Sequence, residues 1–310
     1  MNSIQHILLA TGLLVASTAT AGINIDTVQV GDAGNTNDTT GYGAVGYDYH
    51  IGTYEVTNAQ YTAFLNSVAS SSDPHGLYNS NMSITNTSGT YSTSEPDKPV
   101  RYVSFWDAAR FANWLTNGQP TGAQGNGTTE DGMYNLGGDT NPPNPIVSRQ
   151  LDFSLGQNGV AVASENEWYK AAYYVGSGSY FFYPTQKFSP WVTTSEANFD
   201  DSVGTVTDVG TYSGFPSHYG TFDQGGNVRE WNDAIFFGNS RGRRGGSFGS
   251  NLTTLHSSSY QPIPPIVEDD ATGFRVSSLA PIPQPSAYAA ILGCLGLTLA
   301  LTRRKGRGTL

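Results

Sequence analysis

Two carboxylates bracket the run Asp223-Gln224-Gly225-Gly226-Asn227-Val228-Arg229-Glu230. In this Asp-x-x-Gly-x-Val-x-Glu pattern the glycine permits a turn whose carbonyls can point inward beside the two acids. Calcium takes several oxygen ligands at about 2.3–2.6 Å, and a mixture of carboxylate and backbone oxygen supplies them. The competing chemistry is an ion pair between Glu230 and Arg229, Arg243 or Arg244. Arg243-Arg244 carries enough charge to attract an anion, but Gly245-Gly246 follows at once. Such glycines allow close backbone approach in a packed turn, which points to a structural role for the arginines. His218 and His256 have no spaced partners, so no transition-metal site is expected. Trp106, Trp114, Trp168 and Trp231 read as core aromatics.

Three helical segments are available to position these residues. Thr57 can cap a helix whose apolar face is Tyr61, Phe64, Leu65 and Val68, at i, i+3, i+4 and i+7. Ser104, with Asp107 three residues on, opens a second through Ala108, Phe111, Ala112 and Leu115. Ser164 and Glu167 form a capping box before Trp168, Ala171 and Ala172. Between them run long stretches rich in Gly, Asn and Pro, such as Gly118–Pro145, punctuated by turn signals. No internal repeat and no polar linker divides the body. A few helices in a largely irregular, strand-poor chain predict a single α+β domain whose loops need ions or dense turn hydrogen bonding to hold them.

The composition narrows the function. Only 13% of the 310 residues are charged and 12% are aromatic, which suits a loop-rich extracellular fold with a real core. A net charge of −10 argues against nucleic acid as a partner. The single cysteine, Cys294, precludes an intrachain disulfide, so export must be read from the chain ends. Residues 1–21 read as a signal peptide, with an apolar stretch Ile7–Ala16 and an A-x-A-like site at Ala19-Thr20-Ala21. At the other end, Pro283-Gln284-Pro285-Ser286 precedes the apolar stretch Ala287–Leu301 and a basic cluster of Arg303, Arg304, Lys305 and Arg307. By the positive-inside rule the basic end stays cytoplasmic, as in a short membrane anchor. The three-part layout over 283–307 resembles the PEP-CTERM sorting signal of Gram-negative bacteria, with Gln284 where that signal has Glu. The resemblance implies transient membrane anchoring, processing by exosortase-type machinery, and delivery to the cell surface, outer membrane or matrix.

Six blocks carry a second resemblance. They are Tyr54-Glu55-Val56-Thr57-Asn58-Ala59-Gln60-Tyr61, Pro99 to Ala108, Ser164 to Ala172, Tyr219 to Trp231, Arg243 to Phe248, and Gly273-Phe274-Arg275. In sequence and order they resemble the formylglycine-generating enzyme, or sulfatase-modifying factor, family, with its EVTN, GNVWEW, RGGSW and GFR blocks. That implies one C-type-lectin-like α+β domain over 47–279, after a lead-in at 22–46. It also implies calcium held by the side chains of Asp223 and Glu230 and the backbone oxygens of Gly226 and Val228. A second family calcium site would begin at Asn198 and Phe199 and continue near Asp201 and Val203.

Enzymes of this family use a pair of cysteines, which bind copper(I), between the RGGSW and GFR blocks. Thiolates suit copper(I), and hydroxyl or aliphatic groups do not replace them. Here the interval Gly249–Thr272 contains no cysteine, and the positions that align best are Leu255 and Tyr260. No copper and no oxidase activity are therefore expected. Two functions remain. One is an exported, non-catalytic module that binds exopolysaccharide or a surface protein. The other is an enzyme with cysteine-free chemistry. Exposed aromatics and amides would favour the first; convergent carboxylates or histidines would favour the second.

Overall fold

A computed structural model describes residues 22–138, 143–188 and 191–282. The stretches expected as a signal peptide (1–21) and a sorting tail (283–307), with Cys294, lie outside the described residues. In chain order the elements are β1 (Thr27–Val30), β2 (Tyr49–Gly52), α1 (Asn58–Val68), β3 (Thr85–Thr87), β4 (Thr90–Ser92) and α2 (Phe105–Thr116). They continue with β5 (Val160–Val162), α3 (Glu165–Tyr173), β6 (Tyr174–Gly176), β7 (Ser179–Tyr180), β8 (Arg229–Phe236), β9 (Ser240–Arg244), β10 (Thr272–Phe274) and β11 (Val276–Ser278).

The α+β class holds, and all three expected helices form with their capping boxes. In each, a Ser or Thr side chain accepts from the third helical N–H, and the residue there accepts from the cap's own N–H. Helix α1 buries Tyr61, Phe64, Leu65 and Val68, as its spacing dictates. Helix α2 is buried almost all round, so polar Asp107, Arg110 and Asn113 are inside too. The chain is richer in strands than its composition suggests. Most strands span two to five residues, too short to print a two-residue alternation on the sequence.

A four-stranded sheet runs β1-β2-β11-β5, and a three-stranded sheet runs β10-β8-β9. The segment 22–46, expected as a lead-in, supplies β1 and so the edge of the first sheet. Strand β10 lies parallel to β8, with Gly273 opposite Glu230, which sets the GFR block against the Asp223–Glu230 block. Trp106, Trp114, Trp168 and Trp231 are all buried. The main core packs α1 and α2 against Trp231, Phe274 and Val276; a second cluster gathers around Trp168, Tyr169 and Tyr173 of α3.

Candidate functional site

The turn at 223–227 is built by left-handed backbone: φ is +60° at Asp223, +90° at Gly226 and +54° at Asn227. A Cβ on Gly226 would lie 2.2 Å from the Asn198 carbonyl oxygen, so only glycine fits. Gly226 N donates to Gly245 O, and Asn227 N donates to Asn198 O, both at 2.8 Å. The fold thus brings together two stretches that the sequence separates, 198–199 and 223–230. Asn227 is the bridge: its side-chain oxygen accepts from Asn198 Nδ2, and its amide donates to Glu55 Oε1 at 3.1 Å. Asp201 is exposed, with its N–H donating to Phe248 O.

Glu230 is fully buried and pairs with Arg275, not with the three arginines considered from sequence. Arg275 donates from Nε to Glu230 Oε2 at 2.5 Å and from Nη2 to Oε1 at 2.7 Å. Trp168 Nε1–H adds a third bond at 2.8 Å. The parallel register of β10 on β8 is what delivers this guanidinium, and Arg243 and Arg244 find Asp269 and Glu165 instead.

Three acids therefore surround one guanidinium. Burial, opposed by Gly210 N–H and Arg275, pushes Asp223 up to about 6, and Glu230 adds to the push. Glu55 is raised well above the carboxylate range, first by burial and then by Asp223. Its Oε2 is buried without a hydrogen-bond partner, as is Asn198 Oδ1. An acid-rich interior with unpartnered oxygens fits a hard cation. Asp223 and Asn198 Oδ1 are available for it. Glu230 has both oxygens engaged, and supplies charge rather than a free ligand. Among the described residues no three His, Cys, Asp or Glu side chains are grouped so as to hold a metal ion.

The positions that match the family's cysteines part company. Leu255 is interior, packed with Val192, Ala197 and Phe199. Tyr260 is at the surface, 42% exposed, stacked on Phe236 with centroids 5.3 Å apart. His256, between them, stacks on Phe182 at 5.3 Å. Phe182, Phe188, Trp191 and Phe237 are exposed as well, Trp191 at 70% and Phe237 at 85%. Sequence reasoning did not single out these rings, because they sit in turns and strand ends with no periodicity to mark a face. It also missed a groove of about 650 Å³ lined by Pro74, His75, Gln124, Asn126 and Asn135 with nearby glycines. Gln124 is held there by its bond to Asp73 Oδ1 at 2.8 Å. The amides of Gly118–Pro145 had read only as turn formers.

Residues 26–279 match the family of sulfatase-modifying factor enzyme 1-like domains. No curated protein matches the chain. Among solved structures, CarF is 22% identical, covering 83% of this chain and 98% of its own, with a TM-score of 0.53. Treponema denticola variable protein 1 is 19% identical, covering 84% and 94%, with a TM-score of 0.50. PvdO from Pseudomonas aeruginosa is 18% identical, covering 84% and 92%, also at 0.50. At these identities the likeness is one of fold.

Proposed function

The chain belongs to the family of sulfatase-modifying factor enzyme 1-like domains, and we propose that it serves there as an exported, non-catalytic binding module. One observation carries the reading: where the family's cysteine pair would stand, Leu255 is interior and Tyr260 is a surface ring stacked on Phe236. Neither can bind copper(I) or pass electrons as a thiolate pair does. Fold likeness alone does not restore that chemistry.

What the surface offers suits a carbohydrate polymer. Aromatic faces such as Trp191 and Phe182 can lie against the C–H faces of sugar rings. The groove beside Gln124, Asn126 and Asn135 supplies amide donors and acceptors for hydroxyls. Release to the cell surface or matrix through the 283–307 sorting signal belongs to the same proposal, with exopolysaccharide as the neighbour. Calcium belongs to it too, as a structural cofactor: Asp223 in the 223–230 stretch and Asn198 in the 198–199 stretch are the side chains that would hold it.

The test is a panel of bacterial polysaccharides and surface peptides presented to the protein with and without calcium. Alongside it, a cysteine-containing sulfatase peptide is incubated with protein and copper. The expected result is saturable polysaccharide binding that weakens when Trp191 and Phe182 become alanine, with no aldehyde formed. Aldehyde formation overturns the non-catalytic reading.

A further inference from the structure

Three guanidiniums converge on one small cleft. Arg229, Arg243 and Arg244 line it together with Gly245, Gly246, Thr254, Ser259 and Tyr260. Each is anchored by part of its fork. Arg229 Nη2 donates to Ser250 Oγ at 2.8 Å. Arg243 Nη1 donates to Asp269 Oδ2 at 2.8 Å and to Thr272 Oγ1 at 2.6 Å. Arg244 Nε pairs with Glu165, and its Nη1 donates to the carbonyls of Ser257 and Ser259 at 2.8 and 2.7 Å.

Each also keeps one nitrogen that is buried and unpartnered: Nε of Arg229, Nε of Arg243 and Nη2 of Arg244. Arginine stays protonated in proteins, so these are cationic donors lacking acceptors. Asp269 pairs with Arg243 and Glu165 with Arg244, while Arg229 is bonded to no carboxylate among the described residues and feels Asp269 and Asp270 only at longer range. A buried charged donor left without an acceptor carries the full cost of its lost hydration. The three belong to side chains that line one cleft, where Arg244 also lies over the rings of Tyr42 and Tyr169, each ring centroid 4.8 Å from its guanidinium carbon.

We propose that this cleft binds a compact monovalent anion, a halide or a carboxylate, on Arg229, Arg243 and Arg244. Its cavity volume is about 10 Å³, on the scale of one water-sized group. That excludes sulfate or phosphate seated whole. A space of that size admits one halide or one oxygen of a carboxylate, with the rest of a larger ligand outside. The site is independent of the polysaccharide reading, since a free ion would satisfy it equally.

Diffraction from crystals grown in sodium bromide tests this directly, because bromine scatters anomalously. An anomalous peak in the cleft, within contact of the three arginines, is expected; water there instead overturns the proposal. In solution, bromide, acetate and glucuronate are titrated against the melting temperature of the full chain at constant ionic strength. Bromide and acetate should give saturable rises, with half-saturation weakened about tenfold or more in Arg229→Gln, the value of one hydrogen bond to a charged group. Thr254→Glu, which places a carboxylate on the cleft wall, should abolish the response without loss of folding. Glucuronate matching acetate identifies a sugar carboxylate as ligand, and glucuronate without effect identifies a free ion. A response that never saturates, and is equal in both variants, overturns the site.

Discussion

Helices α2 and α3 begin with the same device and end in opposite electrostatic states. Each opens on a serine whose hydroxyl accepts from the third helical N–H, and each places a carboxylate at that third position. At the start of α3, Glu167 accepts from Ser164 N, Tyr47 OH, Ser277 Oγ and both Nη atoms of Arg149, all at 2.7–2.9 Å. Burial alone would raise it, but Arg149 and the other donors hold it down to about 2. At the start of α2, Asp107 accepts only from Ser104, through N at 2.8 Å and Oγ at 2.7 Å. Burial and the nearby Glu268 push it up to about 7, and Arg110, bound to Glu130, does little to oppose them. One local motif thus yields one committed anion and one acid that gives up its charge near neutrality. The cap is a local fact; the charge state is decided by the partner the fold supplies.

The largest expected effect tests that difference. Glu167→Gln removes one of the two counter-charges of Arg149, which is left with Asp233 alone at 2.6 Å. Breaking a buried pair costs about 3–5 kcal/mol, and urea denaturation at pH 7 should show a loss in that range. Asp107→Asn keeps an oxygen for both Ser104 bonds and should cost less than about 1 kcal/mol, the net worth of one ordinary hydrogen bond. Equal losses in the two variants would break the comparison.

A middle-sized effect belongs to the acid-rich centre around Arg275, which lies between these extremes. With Glu55, Asp223 and Glu230 facing one guanidinium, it resembles Asp107 in lacking enough cations. Calcium would make it resemble Glu167. At 100-fold excess over Kd a bound ion adds about 2.7 kcal/mol, so chelation should lower the melting temperature by several degrees. Calcium should restore it and magnesium should not, since magnesium keeps its waters in irregular sites. Asp223→Gly removes the side-chain oxygen while suiting the +60° φ, and should erase the response. Melting that ignores chelator in the wild type would show that no cation is held there and that Arg275 alone balances these acids.

What the sequence disclosed follows the same division between local and distant. The helices were legible because a cap and a 3.6-residue period are complete within a dozen residues. The turn at Gly226 was legible because its glycine has no substitute. The partner of Glu230 was not, since Arg275 lies 45 positions away and reaches it only through the parallel pairing of β10 with β8. Glu55 is 172 positions from Asn227, which binds it, and nothing in its own block points to that partner. The three arginines of the cleft were visible as residues, but not their unpaired nitrogens, because pairing is settled by Asp269, Glu165 and Ser250 from other segments.

The smallest expected effect is the pH response of Asp107, which isolates the charge state from the cap. Its pKa of about 7 in the folded protein stands above the carboxylate's ordinary 3.8. The folded state therefore holds the proton more tightly than the unfolded chain. Stability from this group is fully present below about 3.8, and is lost as pH rises towards 7. Between pH 6 and 8 that amounts to a loss of about 1 kcal/mol, from the difference in proton uptake integrated over the interval. Glu167 contributes nothing to that window. Its depressed value of about 2 gives stability that is lost only as pH falls through about 4.5 towards 2. Denaturation curves at pH 6 and pH 8 should thus differ in the wild type and converge in Asp107→Asn, which cannot ionise. A second helix-cap variant, Ser104→Ala, separates the two roles. It should lower stability at both pH values by about 1 kcal/mol, the usual worth of a cap. It should also steepen the pH dependence, because the Ser104 hydroxyl opposes the upward push on Asp107. If Asp107→Asn leaves the pH 6 to 8 difference unchanged, Asp107 is already ionised in the folded protein, and the contrast with Glu167 is one of hydrogen-bond number alone.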